Sequence, residues 1–133
     1  MPSTVTAVYP AASDRALQHF ETLLEFETGC WDVHDAMAKG SADFITLDVR
    51  SPELYAQGHV PGALNLPHAK IIAGTMQRYP MNTIFVVYCA GPHCNGAQRG
   101  AIRLAKLGRP VKLMIGGMTG WRDEGFEVQS GVA

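Results

Sequence analysis

Thr83-Ile84-Phe85-Val86-Val87-Tyr88-Cys89-Ala90-Gly91-Pro92-His93-Cys94-Asn95-Gly96-Ala97 is the stretch that decides the fold. Its first six residues are β-branched or aromatic, which suits a strand buried on both faces. Gly91 and Pro92 then break the chain into a loop. From Asn95 to Leu107, Ala97, Ala101, Leu104 and Ala105 share one helical face, and Gly108 supplies the stop. Val111–Ile115 reads as the next strand. Strand, loop, helix, strand is the repeating unit of a parallel sheet.

The same alternation continues upstream. Phe44–Leu47 reads as a buried strand ending at Asp48-Val49-Arg50. Ser51-Pro52-Glu53-Leu54 opens a short helix, with Ser51 as N-cap, Pro52 at the first helical position and Glu53 favoured by the helix dipole. Gly58-His59-Val60-Pro61-Gly62 is a turn, Ala63–Leu66 a short strand, and residues 68–79 mostly helical with a break at Gly74. Gly116-Gly117 is a turn, and Met118–Asp123 one more helical turn. Ahead of this unit, residues 1–12 form a loose lead-in. Ser13 or Asp14 caps a helix running to about Glu25, which Thr28-Gly29 ends, and a second helix covers Trp31–Lys39. The fold class is therefore α/β, with a mainly parallel central sheet flanked by helices in three layers and an N-terminal helical extension.

Composition bounds the function. The chain has 133 residues, 47% of them apolar, enough for one domain with its own core. A net charge of −1 carries no basic excess, so neither nucleic acid nor an anionic membrane is expected as a partner. Apolar runs such as Ile84–Tyr88 are too short to span a bilayer. Met1–Ala12 lacks a basic region followed by an apolar run, so no secretory leader is expected. Three cysteines, Cys30, Cys89 and Cys94, suit a reducing cytoplasm better than a disulfide scaffold.

In parallel sheets, ligands bind beyond the carboxyl ends of the strands. That rule points to Asp48, the Gly116-Gly117 turn and, first of all, the Cys89 loop: Ala90, Gly91, Pro92, His93, Cys94, Asn95 and Gly96. A free thiol has a pKa of about 8.5, so little thiolate is present at neutral pH. Loop N–H groups and a helix N-terminus converging on the Cys89 sulfur would favour the thiolate and bind an oxyanion. The plain alternative is a small buried residue at a strand end.

Three motifs carry a resemblance. Leu47-Asp48-Val49-Arg50-Ser51-Pro52-Glu53-Leu54-Tyr55 runs into Gly58-His59-Val60-Pro61-Gly62-Ala63-Leu64-Asn65-Leu66-Pro67; Val87-Tyr88-Cys89 precedes the loop; Gly116-Gly117-Met118-Thr119-Gly120-Trp121 follows the last strand. Over residues 32–128 the chain resembles the rhodanese-homology family of single-domain sulfurtransferases. Residues 1–31 are then a lead-in with its helix, and 129–133 a tail. The resemblance implies a rhodanese-like fold in which Cys89 takes a sulfane sulfur from a small anion such as thiosulfate, or from a persulfide. It would pass that sulfur to a thiol or to cyanide, without cofactor or metal. In the family His59 looks structural. Asp48 ends the strand beside the central one, so either it supports the loop through backbone N–H groups or, with Arg50, it caps the Ser51–Tyr55 turn; Trp121 is expected to be a packing anchor.

This sequence departs from the family pattern in its longer loop, which holds His93, Cys94 and Asn95 and has no arginine until Arg99. Thiosulfate is therefore expected to be a poor donor. Rival readings remain. A phosphatase of the cell-cycle type needs His-Cys-x5-Arg, but Tyr88 precedes Cys89 and Asn95 stands at the arginine position. Cys89, His93 and Cys94 lack a fourth ligand for zinc. A non-catalytic interaction module usually loses the cysteine, which this chain keeps. Cys94 either points away and fills space or reaches Cys89 as a resolving thiol. Cα atoms closer than about 7 Å would distinguish the two. The N-terminal helix either covers a sheet face or makes a homodimer contact. Cys30 is expected to be a buried helix-terminus residue.

Overall fold

The computed structural model describes residues 1–132 and holds a five-stranded sheet. The strands are β1 (Glu27–Thr28), β2 (Ile45–Asp48), β3 (Leu64–Asn65), β4 (Phe85–Tyr88) and β5 (Val111–Met114). Their order across the sheet is β1-β5-β4-β2-β3, and all four pairings are parallel. The sheet was expected to be mainly parallel and is wholly so. The quoted apolar run is its centre: all four residues of β4 are buried, with β2 on one side and β5 on the other.

Side chains of a strand alternate between faces. Phe85, Val87 and Cys89 pack with Leu47, Val49, Ile71, Met76, Ala97 and Leu104 on one face. Val86 and Tyr88 pack with Cys30, Val33, Val60, Met114, Met118 and Trp121 on the other. The first face is covered by α4 (Ala73–Met76) and α5 (Gly96–Lys106); the second by α2 (Cys30–Ala38) and α6 (Gly117–Asp123). This is the three-layer arrangement expected from the alternating pattern, with one apolar core on each side of the sheet.

Local chemistry sets several boundaries. Ser51 caps α3 (Pro52–Gln57) by accepting the Leu54 N–H at 3.3 Å, with Pro52 in the first turn. The helix α1 spans Ser13–Phe26, but its N-cap is Ala12 and no side chain caps it; neither Ser13 nor Asp14 does so. Residues 68–79 are less helical than expected. A 3-10 turn at His68–Lys70 and the one-turn α4 suffice there, the latter closed by Thr75 Oγ1 accepting the Ile72 N–H.

The largest departure lies at the N-terminal side. Thr28-Gly29 was expected only to end a helix, yet Glu27-Thr28 forms β1 and pairs with Leu113 and Met114 at the sheet edge. A two-residue strand has no readable periodicity, and its partner lies far along the chain. Lys112 Nζ adds a 2.7 Å bond to Leu24 O in the last turn of α1. The helix α1 itself buries no residue, and Leu17, Phe20 and Leu24 face outward. At the other end, Gln129 forms an antiparallel bridge with His59, and the Gly131 N–H reaches Ala56 O at 2.8 Å. The expected tail is thus anchored on α3 and the turn after it; Ala133 lies outside the described residues.

Candidate functional site

Cys89 follows the last residue of β4 and is 6% exposed. Its side chain points to the α5 face, and the first residue of α5 lies against its sulfur. A Cβ built on Gly96 would sit 2.8 Å from Cys89 Sγ and 3.4 Å from Cys94 Sγ. Glycine is therefore required at this position to leave room for both sulfurs. The eleven-residue α5 directs its positive end at the pair, an arrangement that favours thiolate over thiol.

The floor of the loop is held from below. Cys89 O accepts the Met118 N–H at 2.9 Å, and Ala90 O accepts both the Thr119 N–H at 2.9 Å and Thr119 Oγ1 at 3.0 Å. Gly117 has φ +56°, and a Cβ there would lie 2.5 Å from Cys89 O. The Gly116-Gly117 turn can approach the end of β4 only because it carries no side chains. Beneath it, Cys30 donates its thiol to Ile115 O at 3.5 Å and to Gly117 O at 3.8 Å. Burial, then the charge of Glu124, pushes the Cys30 thiol up, so this cysteine is a poor nucleophile.

Cys89 and Cys94 are joined as a disulfide, with Cα atoms 6.5 Å apart. The turn Gly91–Cys94, closed by the Cys94 N–H on Gly91 O at 3.1 Å, folds the second cysteine back over the first. The expected ring of loop N–H groups does not close on Cys89. Among the described residues, the one backbone N–H bonded to a sulfur is that of Gly96, which reaches Cys94 at 3.4 Å. The reason is that Cys94 itself occupies the centre of the loop. Ala90, Pro92, His93 and Asn95 are exposed on its rim, where Asn95 Oδ1 accepts the Arg99 Nε–H at 3.2 Å.

An open cleft of about 210 Å³ lies over the two sulfurs. Gly91, Pro92, Cys94, Gln98 and the Ile115–Gly117 turn line it together with Glu27. No lysine, arginine or histidine is among its described lining residues. Glu27 could not be found from the sequence, because only the pairing of β1 with β5 brings it here.

Asp48 and Arg50 are elsewhere. Asp48 pairs in register with Tyr88, so both face the α2/α6 side, opposite to Cys89. The expectation that Asp48 holds the loop through its N–H groups is therefore corrected. Its carboxylate instead accepts Tyr88 Oη at 2.9 Å, the Arg50 N–H at 3.0 Å and the Arg50 guanidinium at 2.6–3.1 Å. Arg50 also donates to Gly58 O at 2.7 Å, and Tyr88 Oη accepts the Val60 N–H at 3.0 Å. Asn65 Nδ2 donates to the carbonyls of Asp48 and Arg50. This network ties the ends of β2 and β4 to the turn at residues 58–60. His59 lies within that turn, stacked on Tyr55, with Nδ1 2.7 Å from Tyr55 O. Trp121 is fully buried and donates Nε1–H to Glu127 O at 2.7 Å, while His34 stacks on Phe126 beside it.

Burial works against the Arg50 charge, but Asp48 outweighs it and raises the guanidinium pKa further. Burial and then Asp48 raise Tyr88 well above 10.0, the ordinary tyrosine value, and raise Tyr55 in the same direction. Above that pH Tyr88 stays neutral in the fold and Tyr55 ionises later than in the unfolded chain, where both ionise. Their contribution is fully present below pH 10 and is lost as pH rises. Urea midpoints measured from pH 9 upward should fall above about pH 10, each group adding up to about 1.4 kcal/mol per pH unit. A flat profile through pH 11 would contradict this.

The comparisons with known proteins can now be set beside this geometry. The family model described as "Rhodanese-like domain" matches residues 30–124, from the first residue of α2 through α6. The chain belongs to the rhodanese-like domain family. An HTH-type transcriptional regulator of Mycobacterium tuberculosis is 37% identical over 99 residues, 73% of this chain and 43% of the regulator. An adenylyltransferase and sulfurtransferase of Meyerozyma guilliermondii is 31% identical over 101 residues, 69% of this chain and 23% of that protein. This rhodanese-like chain thus spans less than half the length of either relative. A crystal structure of a Bacillus halodurans protein superposes with a TM-score of 0.86 at 37% identity, covering 90% of this chain and 87% of that one. The 90% coverage exceeds the family match, so the likeness takes in residues beyond 30–124. No helix among the described residues is long and apolar enough to cross a membrane, and no group of three or more potential metal ligands assembles there.

Proposed function

We propose that this rhodanese-like domain is a sulfurtransferase that carries a sulfane sulfur as a persulfide on Cys89. The observation behind this reading is the position of that sulfur, at the end of the central strand, under an open cleft and against the first turn of α5. In the reduced protein the Cys89 thiolate attacks the sulfane sulfur of a donor, and the donor's remaining fragment leaves as a thiol or as sulfite. An acceptor thiolate or cyanide then attacks the outer sulfur of the persulfide, and Cys89 leaves as thiolate. The amide dipoles of α5 stabilise the anion in both resting states. The test is intact-mass measurement of the reduced chain and of its Cys94→Ser variant, which lacks the neighbouring thiol, after a persulfide donor and, separately, thiosulfate. A gain of one sulfur atom on Cys89 supports the reading. A chain that takes sulfur from neither donor, and behaves only as a binding partner, would point to the non-catalytic alternative.

Thiosulfate is expected to be the weaker donor. The cleft offers a dianion no cationic side chain, and it presents Glu27. A missing charge-assisted contact costs about 1.5–3 kcal/mol, or about 10- to 150-fold in affinity. Steady-state KM for thiosulfate should accordingly lie in the millimolar range or above, and an arginine introduced at position 95 should lower it. A micromolar KM in the unaltered protein would overturn this expectation.

A further inference from the structure

We propose that Cys94 is a built-in acceptor for the sulfur on Cys89, so that the domain releases hydrosulfide from sulfane-sulfur donors without a second substrate in the cleft. The proposal rests on the persulfide reading of Cys89. It adds a second catalytic cysteine and a different product.

The geometry carries it. The Cα separation of 6.5 Å lies within the range that a disulfide spans, and the two sulfurs are bonded. A Cys94 thiolate therefore reaches the inner sulfur of a Cys89 persulfide with no backbone rearrangement. The Gly91–Cys94 turn orients the attacking residue, and the Gly96 N–H faces its sulfur at 3.4 Å. The absent Cβ of Gly96 is what lets the two sulfurs meet. The third cysteine, Cys30, lies beneath the Gly116-Gly117 turn with its thiol bonded to backbone carbonyls, away from this exchange. An intramolecular thiol held at contact distance outcompetes a free thiol at ordinary concentration, because its encounter entropy is already spent in folding.

The step balances. Cys94 thiolate attacks Cys89 Sγ of the persulfide; the Sγ–Sγ bond forms, and the bond to the outer sulfur breaks. The outer sulfur, carrying the proton of the protonated persulfide, leaves as hydrosulfide with the electron pair of the broken bond. The sulfane sulfur is reduced by two electrons, and the two cysteine thiols are oxidised to the disulfide. Both sulfurs line a cleft that is open to solvent, which gives the hydrosulfide an exit. An external dithiol then reduces the disulfide and is itself oxidised to a disulfide, which returns both cysteines to thiols. The bonded state seen here is the end point of the first half of that cycle.

The experiment uses the full chain, reduced, freed of reductant and kept anaerobic, with one equivalent of glutathione persulfide. Hydrosulfide is counted, and Cys89 and Cys94 are examined by peptide mass. The unaltered protein should release hydrosulfide in step with Cys89–Cys94 disulfide, and a dithiol such as dithiothreitol should make the release catalytic. Cys94→Ala and Cys94→Ser should keep one extra sulfur on Cys89 and release at least about tenfold less hydrosulfide. Using both replacements separates loss of the thiol from loss of packing. If the unaltered protein and both variants hold the same stable Cys89 persulfide, the internal acceptor is refuted while the persulfide reading stands. If none of the three acquires sulfur on Cys89, the persulfide reading fails, and this proposal fails with it.

Discussion

Asp48→Ala should destabilise the fold by about 3–5 kcal/mol, the usual cost of removing one partner of a buried ion pair. Asp48 is fully buried and Arg50 is 9% exposed, so the guanidinium would keep its charge with one carbonyl, Gly58 O, in place of a carboxylate. The Tyr88 hydroxyl would lose its acceptor at the same stroke. Because a domain of this kind is stable by only about 5–15 kcal/mol in total, the variant should populate unfolded chain at moderate temperature. Urea unfolding followed by circular dichroism measures the loss. A deficit below about 1 kcal/mol, the value of an exposed pair, would mean that the network does not hold β2, β4 and the 58–60 turn together.

Cys89→Ser should reduce sulfur transfer to the uncatalysed background. Serine keeps the shape at the end of β4, but its oxygen does not carry a sulfane sulfur. The comparison that gives this meaning is with the other two cysteines. Cys30→Ser should still take sulfur onto Cys89, because Cys30 lies under the Gly116-Gly117 turn and outside the cleft lining. Cys94→Ser should also accept the sulfur and then fail to discharge it internally. Turnover and intact mass, read together for the three variants, check the assignment. Undiminished transfer in Cys89→Ser would refute it.

The stretch from Thr83 to Ala97 was legible because each of its signals is local. A β-branched and aromatic run marks a strand buried on both faces, a Gly-Pro pair marks a loop, and helical spacing resumes after Asn95. The paired cysteines were legible as two alternatives, since a separation of five residues permits contact without requiring it. The turn at Gly91–Cys94 settles the matter through a backbone bond that no spacing rule specifies. The reading that put Asp48 on the loop failed for a definite reason, while its pairing with Arg50 stands. Ending a strand next to Cys89's strand does not say which face its side chain takes. The register of β2 against β4 aligns it with Tyr88, one residue before Cys89, and one residue reverses the face. Glu27 was invisible as a site residue, and Met118 and Thr119 were legible only as part of a motif, without their contacts to the loop. Each reaches the loop through a pairing or carbonyl contact between distant parts of the chain.

The two residues of β1 bear on anyone who trims this protein to its recognisable core. A fragment starting at Cys30, where the family match begins, omits Glu27 and Thr28. The Val111–Met114 strand then becomes the sheet border, with its N–H and C=O groups open to pairing with another molecule. Such a fragment would be prone to strand-to-strand association in solution. Its cleft would also have lost its one carboxylate, so its preference among charged donors would not report that of the intact chain.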